Sequence, residues 1–326
     1  MTVPSPGYRR LALVTAAATF ALIVVGGIVR VSDSGLGCGP EGSGLNGWPF
    51  CNGDVVPGVD LNSVIEYTHR VLAGTVTFLI LALAIQAWRR YREQRALVWA
   101  TTGAFLLVIA QAVLGGATVE EGLDEGLVAA HLGLAMLLLG TLVYVWQHRS
   151  QVAGRRSQGV GSGVRVLSVA ASVAVFAAIV AGGYMAGTQN YGRPDQGLST
   201  GAHHACGKQF PTCNGEFMPF GKTRLVDIHL VHRAFVYLST LLVLALAALT
   251  LRRRPRTRSA GLLLALLALQ LVLGALNVWL DEYEALIVAH LATGTLLWAT
   301  VVGLTLQLFR APAPAAVRAR AEAVPA

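Results

Sequence analysis

A six-residue stretch that occurs twice decides the fold of this chain. It reads Ile65-Glu66-Tyr67-Thr68-His69-Arg70 at its first occurrence and Ile228-His229-Leu230-Val231-His232-Arg233 at its second. Both copies lie in long apolar segments, and both place a histidine directly before an arginine. The two copies differ at one chemically important position, where Glu66 in the first corresponds to His229 in the second.

The similarity extends to both sides of this stretch. A Gly-Gly pair precedes each copy, at 26–27 and at 182–183. A second histidine follows each copy and comes 20 residues after a glutamine, which gives the pairs Gln111 with His131 and Gln270 with His290. Self-similarity of this kind predicts a chain built from two related halves.

The composition is that of a membrane protein. Of the 326 residues 54% are hydrophobic and only 13% are charged, whereas soluble domains carry roughly 25% charged residues. A spanning helix needs about 20 apolar residues, and eight segments qualify: 11–30, 63–88, 97–118, 127–147, 166–187, 226–251, 261–280 and 285–309. This composition disfavours a cytosolic enzyme, a nucleic-acid binder and a disordered scaffold. The first segment is longer than a signal-peptide core and lacks an A-x-A site, so we expect a retained anchor.

Arginines predict the orientation of these segments. They cluster before the first helix, between helices 2 and 3, 4 and 5, and 6 and 7, and after the last helix, whereas the alternate loops are acidic or mixed. The positive-inside rule therefore predicts a plasma-membrane protein with both termini in the cytoplasm. The net charge of +8 follows from this topology, so we expect no nucleic-acid partner. The long loops 31–62 and 188–225, which contain all four cysteines, are expected outside the cytoplasm.

The repeat and the eight spans together predict the architecture. Each half holds four helices, and an even number keeps both halves in the same orientation. We therefore expect an all-α integral membrane protein with eight transmembrane helices in two parallel pseudo-symmetric four-helix bundles, related by an axis along the membrane normal. The bundles comprise 1–150 and 166–309, joined by a cytoplasmic linker at 151–165 and followed by a disordered cytoplasmic tail at 310–326.

The intramembrane histidines predict bound haem. His69 and His131 lie at matching depth, roughly 10 Å from the outer ends of their helices, and His232 and His290 repeat the arrangement. Pairs of axial histidines in a four-helix bundle suit haem iron. Zinc suits them less well, because it takes three or four ligands per site. Interhelical hydrogen bonds are the simpler interpretation of one histidine, but four at repeated positions favour ligands.

Glu66 and His229 each lie three residues before a candidate ligand and therefore on the same helix face. Glu66 suits stabilisation of positive charge or proton transfer at a bound substrate, and its alternative role is that of an acid near a helix N-terminus. Arg70 and Arg233 are candidates to pair with haem propionates or with other nearby polar groups. Gln111, Gln270 and His229 complete the polar residues expected near the ligands, and for the glutamines helix–helix hydrogen bonds remain the alternative.

The four cysteines form one pair in each outer loop. Cys38 with Cys51 and Cys206 with Cys213 are the natural disulfides, because disulfides persist outside the cytoplasm. Thiol redox chemistry near the substrate remains the alternative, and a metal cluster joining both loops is disfavoured.

Taken together, the motif Glu66-x-x-His69-Arg70, its counterpart His229-x-x-His232-Arg233, His131, His290 and the paired cysteines resemble the haem A synthase family along nearly the whole chain. The resemblance implies an oxidoreductase that hydroxylates the C8 methyl of haem O twice, after which the gem-diol loses water to give the formyl group of haem A. It implies that His69 and His131 hold haem O and that His232 and His290 hold a prosthetic haem b. Glu66 would be the catalytic residue that stabilises a cationic intermediate at the methyl carbon.

The resemblance also implies partners. Haem O would come through the membrane from haem O synthase, a protohaem farnesyltransferase, and haem A would serve terminal oxidases. The electron acceptor is not identified by the sequence, and a homo-oligomer is left open. Cys38 and Cys51 match the family's outer-loop pair, although their wide, glycine-rich spacing departs from it. Two rival functions are a bis-histidine cytochrome b for quinol electron transfer and a haem transporter or chaperone, neither of which needs Glu66.

Overall fold

A computed structural model of the chain describes residues 3–148, 161–188, 201–253, 257–280 and 284–309. Within these ranges it contains eight long helices, all apolar enough to cross a membrane: α1 (Pro6–Val31), α2 (Leu61–Arg90), α3 (Arg95–Glu120), α4 (Glu125–Gln147), α5 (Ser162–Gly187), α6 (Arg224–Arg253), α7 (Arg258–Trp279) and α8 (Glu284–Phe309). Strands are absent from the same ranges, apart from isolated bridges at Cys51–Asp54 and Cys213–Glu216. The prediction of an all-α protein with eight spans is confirmed.

Polar side chains cap the first turns of α1, α2 and α4. The Asp60 side chain accepts from the backbone N–H of Ser63, and Asp124 accepts from Gly126 and Leu127, which satisfies N–H groups that have no partner within their helices. Arginines at the other end of α2 continue the helix past its apolar stretch. Likewise α5 begins at Ser162, inside the predicted linker, while 151–160 and the predicted tail at 310–326 lie outside the described residues.

Helix contacts divide the described structure into two groups of four. Within the first half, α1 contacts α2, α2 contacts α3, α3 contacts α4, and α4 returns to α1. The same cyclic order holds for α5 to α8, and the two halves meet where α4 contacts α5 and α8 and where α1 contacts α8. This matching order supports two four-helix bundles, and the axis that relates them stays a prediction.

A tightly packed layer lies on the side of the histidines that is remote from the cysteine loops. The residue eleven positions after each of the four repeated histidines is fully buried: Ile80 after His69, Leu142 after His131, Val243 after His232 and Val301 after His290. Eleven residues make three turns of helix, or about 16 Å, so each apolar side chain lies on the face of its histidine.

Candidate functional site

Glycines on neighbouring helices make room for the four histidines. A methyl group added at Gly26 of α1 would lie 3.1 Å from Cε1 of His69. The corresponding distances are 3.3 Å from Gly115 to His131, 2.9 Å from Gly182 to His232 and 3.1 Å from Gly274 to His290. Each histidine thus packs against a neighbouring helix at a residue without a side chain. An added methyl group would force the imidazole to shift at Gly182, and to yield by a few tenths of an ångström at the other three glycines.

The second glycine of each Gly-Gly pair faces the other half. A methyl group at Gly27 of α1 would lie 2.4 Å from Leu291, the residue after His290. A methyl group at Gly183 of α5 would lie 2.9 Å from Leu132, the residue after His131. In both Gly-Gly pairs, the first glycine therefore contacts a histidine of its own half. The second glycine contacts the leucine that follows a histidine in the other half.

Hydrogen bonds orient part of this histidine set. Nδ1 of His232 lies 2.9 Å from the carbonyl oxygen of Ala178, and since a carbonyl only accepts, Nδ1 carries the proton. Nε2 of His232 then keeps a free lone pair, which is the form in which imidazole binds a metal. The side-chain amide of Gln270 lies 3.1 Å from Nε2 of His290, whereas that of Gln111 donates to the backbone carbonyl of His131 at 3.0 Å.

The histidines of each half also lie near one another. His69 and His131 are close enough to interact electrostatically, as are His232 and His290. All four imidazoles are half-buried. Nδ1 of His69, His131 and His290 is buried without a hydrogen-bond partner in the described part of the chain. Such nitrogens are costly in an apolar interior unless a ligand or partner uses the ring.

These donors fit haem better than an isolated metal ion. Among the described residues, no three His, Cys, Asp or Glu side chains are grouped closely enough to bind a metal together. Zinc sites need such a group, whereas haem iron takes its four equatorial ligands from the porphyrin and two from the protein. One histidine pair per half, with free or orphaned ring nitrogens, meets that requirement.

Glu66 lies under the first outer loop. Its side chain is 5% exposed, and Oε2 accepts a hydrogen bond of 2.8 Å from the backbone N–H of Cys38. Oε1 forms an ion pair with Arg70, one turn further along α2. A buried carboxylate is stable only when its charge is compensated in this way. Glu66 is thus fixed three residues from His69, towards the loop that contains Cys38.

Both predicted disulfides are confirmed. Cys38 is bonded to Cys51 and Cys206 to Cys213, and all four cysteines are buried. The wider spacing of the first pair is accounted for by an insertion that includes the short 3-10 turn Gly44–Asn46. Each disulfide closes a loop between the first two helices of its own half.

The two loops share a turn that is visible in the sequence as a further repeat. Residues 48–54 read WPFCNGD and residues 210–216 read FPTCNGE. In each, the asparagine has a positive φ of 53°, and its side chain donates to the carbonyl of the residue before the first cysteine of the pair, Gly37 or Ala205. The repeated P-x-C-N-G pattern is the feature of the sequence that marks Asn52 and Asn214. The spacings of the histidines and cysteines alone do not identify them.

The second loop meets its bundle through different groups. Nδ1 of His229 donates to the carbonyl of Ala202 at 2.8 Å, so the residue that corresponds to Glu66 also contacts its loop. Arg233 donates to the carbonyl oxygens of Gln209 and Thr212 at 2.8 and 2.9 Å and stacks over Phe210. Arg70 donates to the carbonyl of Phe50 at 2.8 Å. In the described residues both arginines pair with polar groups of the protein, and a pairing with haem propionates stays a prediction.

Comparison with known proteins gives a consistent result. A family model described as a cytochrome oxidase assembly protein, COX15-CtaA, matches residues 61–302. A protein of Shouchella clausii named Heme A synthase is 28% identical over 272 residues, which cover 82% of this chain and 84% of the relative. A protein of the same name from Halalkalibacterium halodurans is 28% identical over 77% of this chain and 80% of its own. A third, from Bacillus licheniformis, is 32% identical over 41% of this chain and 43% of its own.

Proposed function

Because the chain belongs to the COX15-CtaA family of cytochrome oxidase assembly proteins, we propose that it is an oxidoreductase that converts haem O into haem A. Relatives named Heme A synthase align with most of this chain. Their matches span both histidine-bearing halves, which supports the same reaction here. Four histidines in a multi-pass membrane protein suit an apolar, farnesylated haem that does not dissolve in water.

The two halves have different roles in this proposal. His69 and His131 would bind haem O as the substrate, and His232 and His290 would bind a haem b as the prosthetic group. The observation that carries this assignment is the position of Glu66. It provides a buried carboxylate one turn from His69, whereas the second half has His229 at the corresponding position. A group that responds to charge on a substrate is therefore found beside the first histidine pair.

Glu66 would act on charge that develops at the substrate methyl carbon. Converting a methyl group into a formyl group removes four electrons overall, through a hydroxymethyl group and a gem-diol that loses water. Positive charge at that carbon is stabilised by an ionised carboxylate in an apolar site, where electrostatic interactions are strong. Bound haem b supplies one-electron redox chemistry. Arg70 and the Cys38 amide hold the Glu66 carboxylate in one orientation.

The membrane orientation is part of the proposal. Arginines at the predicted inner ends support cytoplasmic termini and outer cysteine loops. Haem O would then enter laterally from the bilayer, supplied by a haem O synthase, and haem A would leave for a terminal oxidase. The electrons pass to an acceptor that the residues do not identify, and a homo-oligomer is compatible with the exposed apolar helix faces.

Haem extraction tests the reaction directly. The full chain is expressed in a host that makes haem O but no haem A, and extracted haems are separated and identified by mass. We expect haem A, or its hydroxymethyl precursor, only in cells that contain this protein. Haem b in the purified protein without any modified haem, in a host where a known synthase works, would instead favour a bis-histidine cytochrome b. Haem O bound but never converted would favour a haem carrier.

A further inference from the structure

Arg70 contacts both Glu66 and the outer loop. Its guanidinium pairs with Oε1 of Glu66 and also donates to the carbonyl oxygens of Phe50, at 2.8 Å, and Pro49, at 3.5 Å. The Arg70 side chain is only 15% exposed. Phe50 directly precedes Cys51, so the arginine reaches the second cysteine of the first disulfide.

These contacts close a ring. Starting at Cys38, the backbone N–H donates to Oε2 of Glu66, Oε1 pairs with Arg70, Arg70 donates to the carbonyl of Phe50, and Cys51 returns to Cys38 through the disulfide. Both carboxylate oxygens are engaged, one by the backbone of Cys38 in the loop and the other by Arg70 of α2, which itself holds Phe50 of the loop. The carboxylate therefore cannot rotate unless the loop moves.

The second half shows what the same arginine does without a carboxylate. Arg233 also donates to the carbonyl before the second cysteine, at Thr212, but its other terminal nitrogen donates to the carbonyl of Gln209. In Arg70 the corresponding nitrogen is paired with Glu66. In the second half the arginine thus holds the disulfide loop through backbone carbonyls alone. In the first half one terminal nitrogen of Arg70 pairs with Glu66 instead of a carbonyl.

We infer that Arg70 is a positioning residue that joins the Glu66 carboxylate to the Cys38–Cys51 loop, so that the loop and the carboxylate act as one unit above the first histidine pair. This inference rests on the proposed function for its role in haem A formation. Its geometric part, the ring of contacts, is independent of that function. A planar guanidinium with several N–H donors can make both connections at once, which a lysine ammonium does with poorer geometry.

The test uses full-length protein purified from the haem O host, with the variants Arg70→Gln and Arg70→Lys and the matched control Arg233→Gln. Two quantities are measured. The first is the rate at which a phosphine reductant opens each disulfide, followed by alkylation and mass spectrometry of the cysteine peptides. The second is the yield of haem A and its hydroxymethyl precursor per bound haem b, where haem b content also reports folding.

We expect Arg70→Gln to speed opening of Cys38–Cys51 about tenfold, because a charge-assisted tie is lost, and to lower the haem A yield. Arg233→Gln should speed only Cys206–Cys213. Arg70→Lys should recover part of the haem A yield. If Arg70→Gln lacks haem b and is therefore misfolded, the same two measurements are made on Arg70→Lys instead. A Cys38–Cys51 rate within twofold of wild type, an unchanged haem A yield, or equal acceleration by Arg233→Gln would each overturn the inference. Wild-type protein that makes no haem A would contradict the proposed function. The rates at which the disulfides open would still test whether Arg70 holds the Cys38–Cys51 loop.

Discussion

The backbone N–H of Cys38 donates a hydrogen bond of 2.8 Å to the carboxylate of Glu66. This contact puts a disulfide-bonded outer loop directly on the acid beside the first histidine pair. In the second half, the donor and the acceptor are exchanged: the side chain of His229 donates to a loop carbonyl, that of Ala202. The halves therefore share a scaffold and differ in the group that each loop meets.

Removing the first disulfide should impair both the loop and the reaction. Closing a loop of this size is worth roughly 3 kcal/mol, so Cys38→Ser with Cys51→Ser should make the loop more sensitive to protease and lower haem A formation by about tenfold or more. The matched double variant Cys206→Ser with Cys213→Ser should instead expose the second loop. Unchanged cleavage and haem A yield in the first double variant would count against a role for the loop.

The two histidine pairs should separate substrate from prosthetic haem. His232→Ala and His290→Ala should each abolish most of the haem b absorbance of purified protein, because one axial ligand is lost. His131→Ala, at the position that corresponds to His290, should keep haem b and lose haem A formation. Optical spectra and haem extraction measure both. Loss of haem b from His131→Ala alone would reverse the assignment of the two halves.

Room for His232 depends on Gly182. A methyl group there would lie 2.9 Å from Cε1 of an imidazole whose Nδ1 is held by Ala178, so Gly182→Ala should displace the ring and reduce haem b occupancy severalfold. Gly163→Ala in the same helix is the control, because nothing lies within 4 Å of the added methyl. It should leave occupancy unchanged and favour the helix slightly. Equal occupancy in both variants would show that the glycine is not needed for space.

Trp298 joins the two halves on the side of the histidines that is remote from the cysteine loops. Its indole Nε1–H donates to the carbonyl of Met136 at 2.8 Å, and its ring packs on Phe176. Trp298→Phe removes this hydrogen bond between the halves, although the Met136 carbonyl keeps its partner within α4, and should cost about 0.5–1.5 kcal/mol, which equilibrium unfolding in mixed detergent can measure. Trp99→Phe, at a position 65% exposed, should cost far less. Similar losses at both positions would contradict a specific link between α4 and α8.

Much of this arrangement could be predicted from the sequence. Hydropathy is enough to predict eight membrane-spanning helices, because a helix needs about 20 apolar residues to cross a bilayer. The placement of the arginines predicts their orientation. The repeated His, Gly and Gln spacings also identify residues that the fold brings together: Gln111 contacts His131, and Gln270 contacts His290. In each half the glutamine and the histidine lie on two consecutive helices joined by a short loop. The same number of residues between them therefore brings them together in both halves.

The loop contacts could not be predicted in the same way. Glu66 meets the backbone N–H of Cys38 and Arg70 meets the carbonyl of Phe50, and every residue except proline has both backbone groups. A long arginine side chain also reaches many positions, so its partner depends on how the loop folds. The shared turn at 48–54 and 210–216 does have a signal in the sequence, the repeated P-x-C-N-G pattern, but that pattern was recognised only once the two turns were seen in the structure.

The position shared by Glu66 and His229 gives the most direct test of the account. Glu66→Gln and His229→Gln are compared in the haem O host by haem extraction and by haem b content of the purified protein. We expect Glu66→Gln to keep haem b and to lose haem A by about a hundredfold or more, since an ionised group at the reacting carbon is removed. His229→Gln should retain far more haem A. Haem A formation by Glu66→Gln at the wild-type level would contradict the account.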